Sequence, residues 1–360
     1  MKILHIVPHV GSGGDWVAVK ELTKALKEEN HEVMFAGDGT SNYQQGSVEV
    51  KVNRGLIELF KSLSLMKQFP KDIEIIHAHS PLCLFFGYFL KVFRIRKSKL
   101  LMTYHWDTAN SFLKILFKKV LFSLADDIHC YSIKVSQLLR EKFSLSQSKV
   151  KLIYFGVDSK KFRMIEDDEI KSLKKQFKVN QNDFVYLYAG RLNPEKNIEF
   201  IIKHIASKDT FDNQVLLIAG NGPLEEKLKS MVSDLKISER VIFLGRVNGI
   251  EKLYPIADLL ILPSTSMETF GFVIVEAALC GVPSLRSDLP GAEDQIKDGE
   301  NGFIYPYEDY LEFSKRLNSI YENRKALEQI GKSAGQHSLK MFTVDIMKKN
   351  FISYYKSLIS

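Results

Sequence analysis

The sequence predicts an α/β protein built from two doubly wound, Rossmann-like domains facing a central cleft. Three observations lead there. A chain of 360 residues is too long for one ordinary domain and about right for two. Short, continuously apolar runs alternate with stretches of helical spacing, the pattern of a parallel sheet covered on both faces. That rhythm then begins afresh near residue 183.

In the first half, Lys2–Val7 reads as a buried strand, and Trp16–Glu29 carries apolar residues at helical spacing (Val17, Val19, Leu22, Leu26). Glu32–Ala36, Ile73–His77, Lys99–Thr103, Asp127–Tyr131 and Lys149–Ile153 continue the strand series. The charged stretch from Asp158 to Asp183 reads as a linker with a short helix. Beyond it come the strands Phe184–Ala189, Gln214–Ala219, Val241–Leu244 and Leu259–Leu262. Helices are expected over Asn197–Ser207, Leu224–Leu235 and about Gly271–Cys280, and two or more over Asp309–Ser360. The expected domains are residues 1–165 and 166–340, with a helix over 341–360 that packs back on the first domain.

Composition narrows the function. No apolar run reaches the roughly 20 residues that span a bilayer. The apolar amino-terminal run is too short for a secretory signal, so a cytoplasmic protein is expected. Cys83, Cys130 and Cys280 are scattered in apolar sequence and show neither disulfide nor metal-ligand spacing. The net charge of +7 is uneven: residues 1–160 hold 23 Lys and Arg against 15 Asp and Glu, and residues 91–151 hold 13 against 4. A one-sided basic region suits an anionic partner. Within it, FLKILFKKVLFSL (112–124) sets Lys114, Lys118 and Lys119 beside Leu113, Leu116, Phe117, Val120 and Leu121. Such a helix either lies on an anionic membrane or packs on a core with its lysines solvated.

Open α/β sheets bind ligands beyond the carboxyl ends of their strands, and several motifs fall there. Arg191 and Lys196 follow Phe184–Ala189, and two cations on one loop suit a diphosphate, although a charged surface turn accounts for them equally well. Gly220 and Gly222 follow Gln214–Ala219 and would let a ligand approach the backbone. After Leu259–Leu262 comes PSTSMETFGFVIVEA, with Glu268, Thr269, Phe270 and Gly271 leading into a helix whose first amides could bind an anion. Glu276 sits inside that helix among Val275, Ala277 and Ala278, where an unpaired carboxylate is costly. It would serve either as an acceptor for sugar hydroxyls or in a salt bridge. In the first half, Gly13 and Gly14 close the first strand, and His77, His79 and His105 stand at later strand ends. Trp16 occupies the place of the third glycine of a dinucleotide fingerprint, which argues against a dehydrogenase.

Glu268 and Glu276, separated by seven residues and followed by Gly281 and Pro283, resemble the signature of glycosyltransferase family 4, whose fold is GT-B. The Arg191/Lys196 loop and the Gly220–Pro223 loop are similar to that family's too, and the resemblance spans essentially the whole chain. It implies a retaining glycosyltransferase with an acceptor-side first domain and a donor-binding second domain. It implies that Arg191 and Lys196 hold the donor diphosphate, that Glu268 faces the sugar and Glu276 the ribose, and that His105 stands next to the transferred sugar. Arg246 and Val247 resemble the segment that frames the base, and Gly13 and Gly14 resemble the phosphate-side loop. Phe155 replaces the family's usual asparagine. No cofactor and no metal are implied beyond the substrate, a nucleoside-diphosphate sugar expected to be a UDP-sugar. Expected partners are a glycan or lipid-linked acceptor of polysaccharide biosynthesis and an anionic membrane surface on the inner face of the cell, with no nucleic acid. A non-hydrolysing sugar-nucleotide epimerase or an inactive nucleotide-sugar-binding protein are the alternatives.

Overall fold

A computed structural model describes residues 1–11, 14–40, 47–51, 56–105, 112–207, 213–266, 268 and 270–360. It divides into two compact units, one made of Met1–Gly156 with Val344–Ser360, the other of Val157–Thr343.

The first unit contains β1 (Lys2–His9), α1 (Gly14–Glu28), β2 (Glu32–Asp38), β3 (Val48–Glu49), α2 (Leu56–Leu63), β4 (Ile75–Ala78) and α3 (Pro81–Phe93). It continues with β5 (Lys99–Thr103), α4 (Phe112–Ser123), β6 (Asp127–Cys130), α5 (Ile133–Phe143) and β7 (Val150–Leu152). The strands pair in parallel in the order β3-β2-β1-β4-β5-β6-β7. β4 and β6 are buried at every position, as strands covered on both faces must be. α3 starts where Ser80 accepts a hydrogen bond from the Cys83 amide and Pro81 takes the first helical position. A last helix, here α13 (Val344–Ile359), belongs to this unit, where Lys348 pairs at 3.0 Å with Glu29, just past the end of the neighbouring α1.

The second unit contains α6 (Asp167–Gln176), β8 (Phe184–Ala189), α7 (Glu199–Ile205), β9 (Gln214–Ala219), α8 (Glu225–Asp234) and β10 (Val241–Gly245). It continues with β11 (Leu259–Leu262), α9 (Phe272–Leu279), β12 (Ser284–Ser287), α10 (Ala292–Gln295), β13 (Phe303–Tyr305), α11 (Tyr310–Glu322) and α12 (Leu327–Met341). Its sheet is parallel in the order β10-β9-β8-β11-β12-β13. β12 and β13 lie outside the strand series expected from the sequence, because SLRS and FIY are too short and too mixed to show a period. α12 comes close to the end of α9 because Gly331 has no side chain: a Cβ there would stand 1.9 Å from the Gly281 carbonyl oxygen. In each sheet the strand order reverses once, between β1 and β4 and between β8 and β11. Those two switch points are where doubly wound sheets take ligands.

Candidate active site

In the second unit the residues singled out from the sequence gather at the carboxyl ends of β8, β9, β10 and β11. The loops there are stitched together by backbone hydrogen bonds. The Gly190 amide donates to Ala219, the Leu192 amide to Asn221, and the Gly220 amide to Gly245. Gly220 permits this closeness: at φ +146°, a Cβ there would stand 1.8 Å from the Gly190 carbonyl oxygen. Gly222 is as tightly placed, against Leu192.

The loops after β8 and β11 meet across the switch point. The Thr265 amide donates to the Glu195 carbonyl at 2.8 Å. Lys196 Nζ lies 2.5 Å from Glu268 Oε2, an ion pair whose side chains are 20% and 14% exposed. A cation from one loop and a carboxylate from the other therefore share one partly buried contact. Ser264 adds a weaker hydrogen bond to Glu268 at 3.4 Å. Arg191 projects from the same loop and is exposed, with its carbonyl held by the Tyr188 hydroxyl at 2.8 Å. The neighbouring Glu195 carboxyl sits below its usual range: burial opposes that shift, and the hydrogen bond from Asn193 with the nearby Lys196 and Arg191 charges outweighs it.

Phe270 is buried, and Gly271, at φ +71°, is the N-cap of α9, with no side chain capping the helix. On α9, Glu276 finds a partner that the sequence did not suggest. The Tyr254 hydroxyl donates to its Oε2, so the contact is neither a salt bridge nor an unpaired carboxylate. Burial raises the Glu276 carboxyl above its ordinary value against the pull of that hydrogen bond, and burial raises Tyr254 well above its own. Arg246 and Val247 follow β10, with Arg246 exposed. Thr269 and Gly13 lie outside the described residues, and Gly14 opens α1 on the first unit.

The first unit collects a group of histidines at its own switch point. The β1–β4 register sets His5 opposite His77. His5 Nδ1 lies 2.9 Å from His79 Nε2, and the His77 and His79 rings stack at 4.4 Å. These three place ligand-type nitrogens within 4.8 Å of one another, although their spacing in sequence shows no such motif, because adjacent strands bring them together. His77, however, has both nitrogens committed to a buried chain. His129 Nε2 donates to the Ile153 carbonyl at 2.8 Å, so its Nδ1 must accept, and does so from Thr103 at 2.9 Å. Thr103 in turn accepts from His77 Nε2 at 2.7 Å, which leaves His77 Nδ1 to accept from the Tyr355 hydroxyl of α13 at 2.7 Å. His105 stands apart from this chain, partly buried, with Nδ1 2.9 Å from the Tyr131 hydroxyl. Phe155 is core, packed on Tyr131 and on Phe351 of α13.

Beside Tyr254, sequence reasoning passed over Arg286. No local signal marks it, because SLRS is too short and too mixed to read as a buried strand.

Two family profiles match the chain: "Glycosyltransferase Family 4" over residues 12–161 and "Glycosyl transferases group 1" over residues 169–337. An uncharacterized glycosyltransferase of Methanocaldococcus jannaschii is 30% identical over 236 residues, covering 63% of this chain and 60% of that protein, so the chain spans less than two thirds of that relative. The N-acetyl-alpha-D-glucosaminyl L-malate synthase of Bacillus anthracis is 22% identical over 368 residues, covering 96% of this chain and 93% of that one. Among solved structures, Anabaena HepE in complex with UDP is similar with a TM-score of 0.84 at 21% identity, covering 99% of this chain and 100% of that chain. That likeness shows the fold, which is GT-B.

Proposed function

We propose a donor and an acceptor for this chain, which belongs to glycosyltransferase family 4: it moves a sugar from a nucleoside-diphosphate sugar to a membrane-associated glycan acceptor. The observation that carries the donor half is the Lys196–Glu268 contact at the β8/β11 switch point. It sets a phosphate-type cation against a sugar-type carboxylate, beside the uncapped start of α9. The UDP in the HepE complex supports a UDP-sugar as donor.

In the reaction, the bond between the anomeric carbon and the diphosphate oxygen breaks as the acceptor hydroxyl oxygen bonds to that carbon. The hydroxyl proton passes to the leaving phosphate. Arg191, Lys196 and the α9 amides stabilise the charge that develops on the diphosphate. Attack from the face the diphosphate leaves retains the anomeric configuration and needs no protein nucleophile. The family resemblance assigns His105 to the sugar and Glu276 to the ribose. Incubation with a panel of UDP-, GDP- and ADP-sugars, reading acceptor-dependent release of nucleoside diphosphate, tests the donor. Release from none of them, with acceptor extracts present, would overturn the reading; binding without release would favour an inactive sugar-nucleotide-binding protein. The anomeric configuration of the product, read by NMR, tests retention.

The acceptor half draws on α4. Leu121 and Phe122 face the core, whereas Leu116, Phe117 and Val120 are 50%, 63% and 59% exposed. Lys118, solvated in the core-packed alternative, is instead buried, its Nζ 5.8 Å from the Tyr104 ring centre. Phe93, at the end of the adjoining α3, is exposed as well. An outward apolar row on the most basic stretch of the chain suits an anionic lipid surface and thus a lipid-linked acceptor. The malate synthase among the relatives shows by its name that other acceptors occur. Vesicle flotation separates the cases: binding to vesicles with anionic lipid, and loss of it in Leu116→Ser/Phe117→Ser/Val120→Ser, is expected. Absence of binding at low salt would overturn the membrane assignment.

A further inference from the structure

Arg286, on β12, is fully buried. A permanently charged group at that depth needs its donors satisfied and ordinarily a carboxylate beside it. Arg286 has partners of another kind. Nη1 donates to Gln295 Oε1 at 2.7 Å and to the Phe270 carbonyl at 3.3 Å, and Nη2 donates to the Glu268 carbonyl at 3.3 Å. Among the described residues no carboxylate lies within 4.0 Å of the guanidinium, and its Nε has no hydrogen-bond partner. An apolar chain of similar length would fill this volume without desolvating a charge, so packing does not account for it.

What the guanidinium grips is the segment that leads from β11 into α9. In a peptide unit the carbonyl and the amide hydrogen point in opposite directions. Holding the Phe270 carbonyl towards Arg286 therefore turns the Gly271 N–H the other way, at the uncapped start of α9. Contact is close there, since a Cβ on Gly271 would stand 3.5 Å from Nη1. The Glu268 and Asp294 carboxylates act on this charge only from beyond ion-pair distance, so in a medium of low dielectric the cation also strengthens the attraction of those amides for an anion.

We propose that Arg286 is a positioning residue for the donor diphosphate, fixing the segment that opens α9 through its backbone carbonyls and adding to it a positive charge that no direct ion pair holds. This inference rests on the donor-site reading above. It is tested by calorimetric titration of the full chain with UDP and with UMP, comparing wild type with Arg286→Met, Arg286→Lys and Gln295→Glu. Arg286→Met is expected to lower UDP affinity about tenfold or more, the loss of one charge-assisted hydrogen bond. UMP affinity is expected to move much less, because the β-phosphate is the group concerned. Arg286→Lys keeps the charge without the fork and is expected to fall between. Gln295→Glu neutralises the charge while leaving the grip, so it weakens UDP binding in a folded protein and carries the test where Arg286→Met does not fold. UDP affinity within about twofold of wild type in the folded variant would overturn the inference. An equal loss for UDP and UMP would do the same, since it marks a general structural defect. A wild type that binds none of UDP, GDP and ADP fails differently: it removes the donor-site reading itself.

Discussion

Lys196 and Arg191 are the cations proposed to hold the leaving group, and that role separates from their structural ones by measurement. Replacing either with alanine is expected to lower the rate of nucleoside-diphosphate release by about 10²–10³-fold, as for loss of one pre-placed electrostatic partner. Circular dichroism and melting temperature should stay close to wild type, since Arg191 is exposed and Lys196 partly so. Wild-type turnover in both variants would remove the phosphate assignment. Gly220→Ala should act oppositely. Its methyl group would overlap the Gly190 carbonyl, so the melting temperature falls and turnover falls with it. These residues were legible in the sequence because they follow strongly apolar strands, and the strand end tells where a ligand edge must lie. Tyr254 and Arg286 were not legible. Nothing local to LYPIA or SLRS says that the first reaches Glu276 and the second the carbonyls before α9, since those contacts are made by tertiary packing alone.

At the scale of elements, the strands that read clearly carry continuous apolar runs, whereas β12, buried but with the mixed sequence SLRS, and the short edge strand β13 did not read at all. The orientation of α4 was open for a physical reason: its apolar residues outnumber what one core-facing stripe needs, and only packing decides which of them are left outside. The sequence shows a helix at the end of the chain, whereas its attachment depends on hydrogen bonds from Tyr355 to His77 and from Tyr354 to Asp127 at 3.1 Å. Among the described residues, Tyr355→Phe removes the donor that the chain of tautomers assigns to His77 Nδ1. A buried acceptor without a partner costs about 1–3 kcal/mol, measured as a lower denaturant midpoint at unchanged slope. An unchanged midpoint would show that α13 is held by its apolar contacts alone.

For the whole molecule, the buried histidines set the response to acid. Burial lowers His5 to about 3 and His129 and His204 to about 4, and lowers His77 and His79 well below the ordinary value. The folded state thus prefers the neutral rings, whereas the unfolded chain takes up protons near pH 6.5. The stability these rings contribute is fully present above about pH 6.5 and declines as pH falls towards their folded values, by up to about 1.4 kcal/mol per pH unit for each ring. Melting temperature is expected to drop steeply between pH 6.5 and 5, in both units, because His204 belongs to the second. A flat profile over that range would show the histidines to be more hydrated than their packing indicates.

The first unit is closed by a helix that comes after the whole of the second unit in the chain. During synthesis its seven strands leave the ribosome long before α13 does. Until then His77 and Asp127 lack the hydroxyls of Tyr355 and Tyr354, and Phe155 lacks Phe351. The half made first is therefore the half finished last, a reversal of the amino-to-carboxyl order in which domains usually complete.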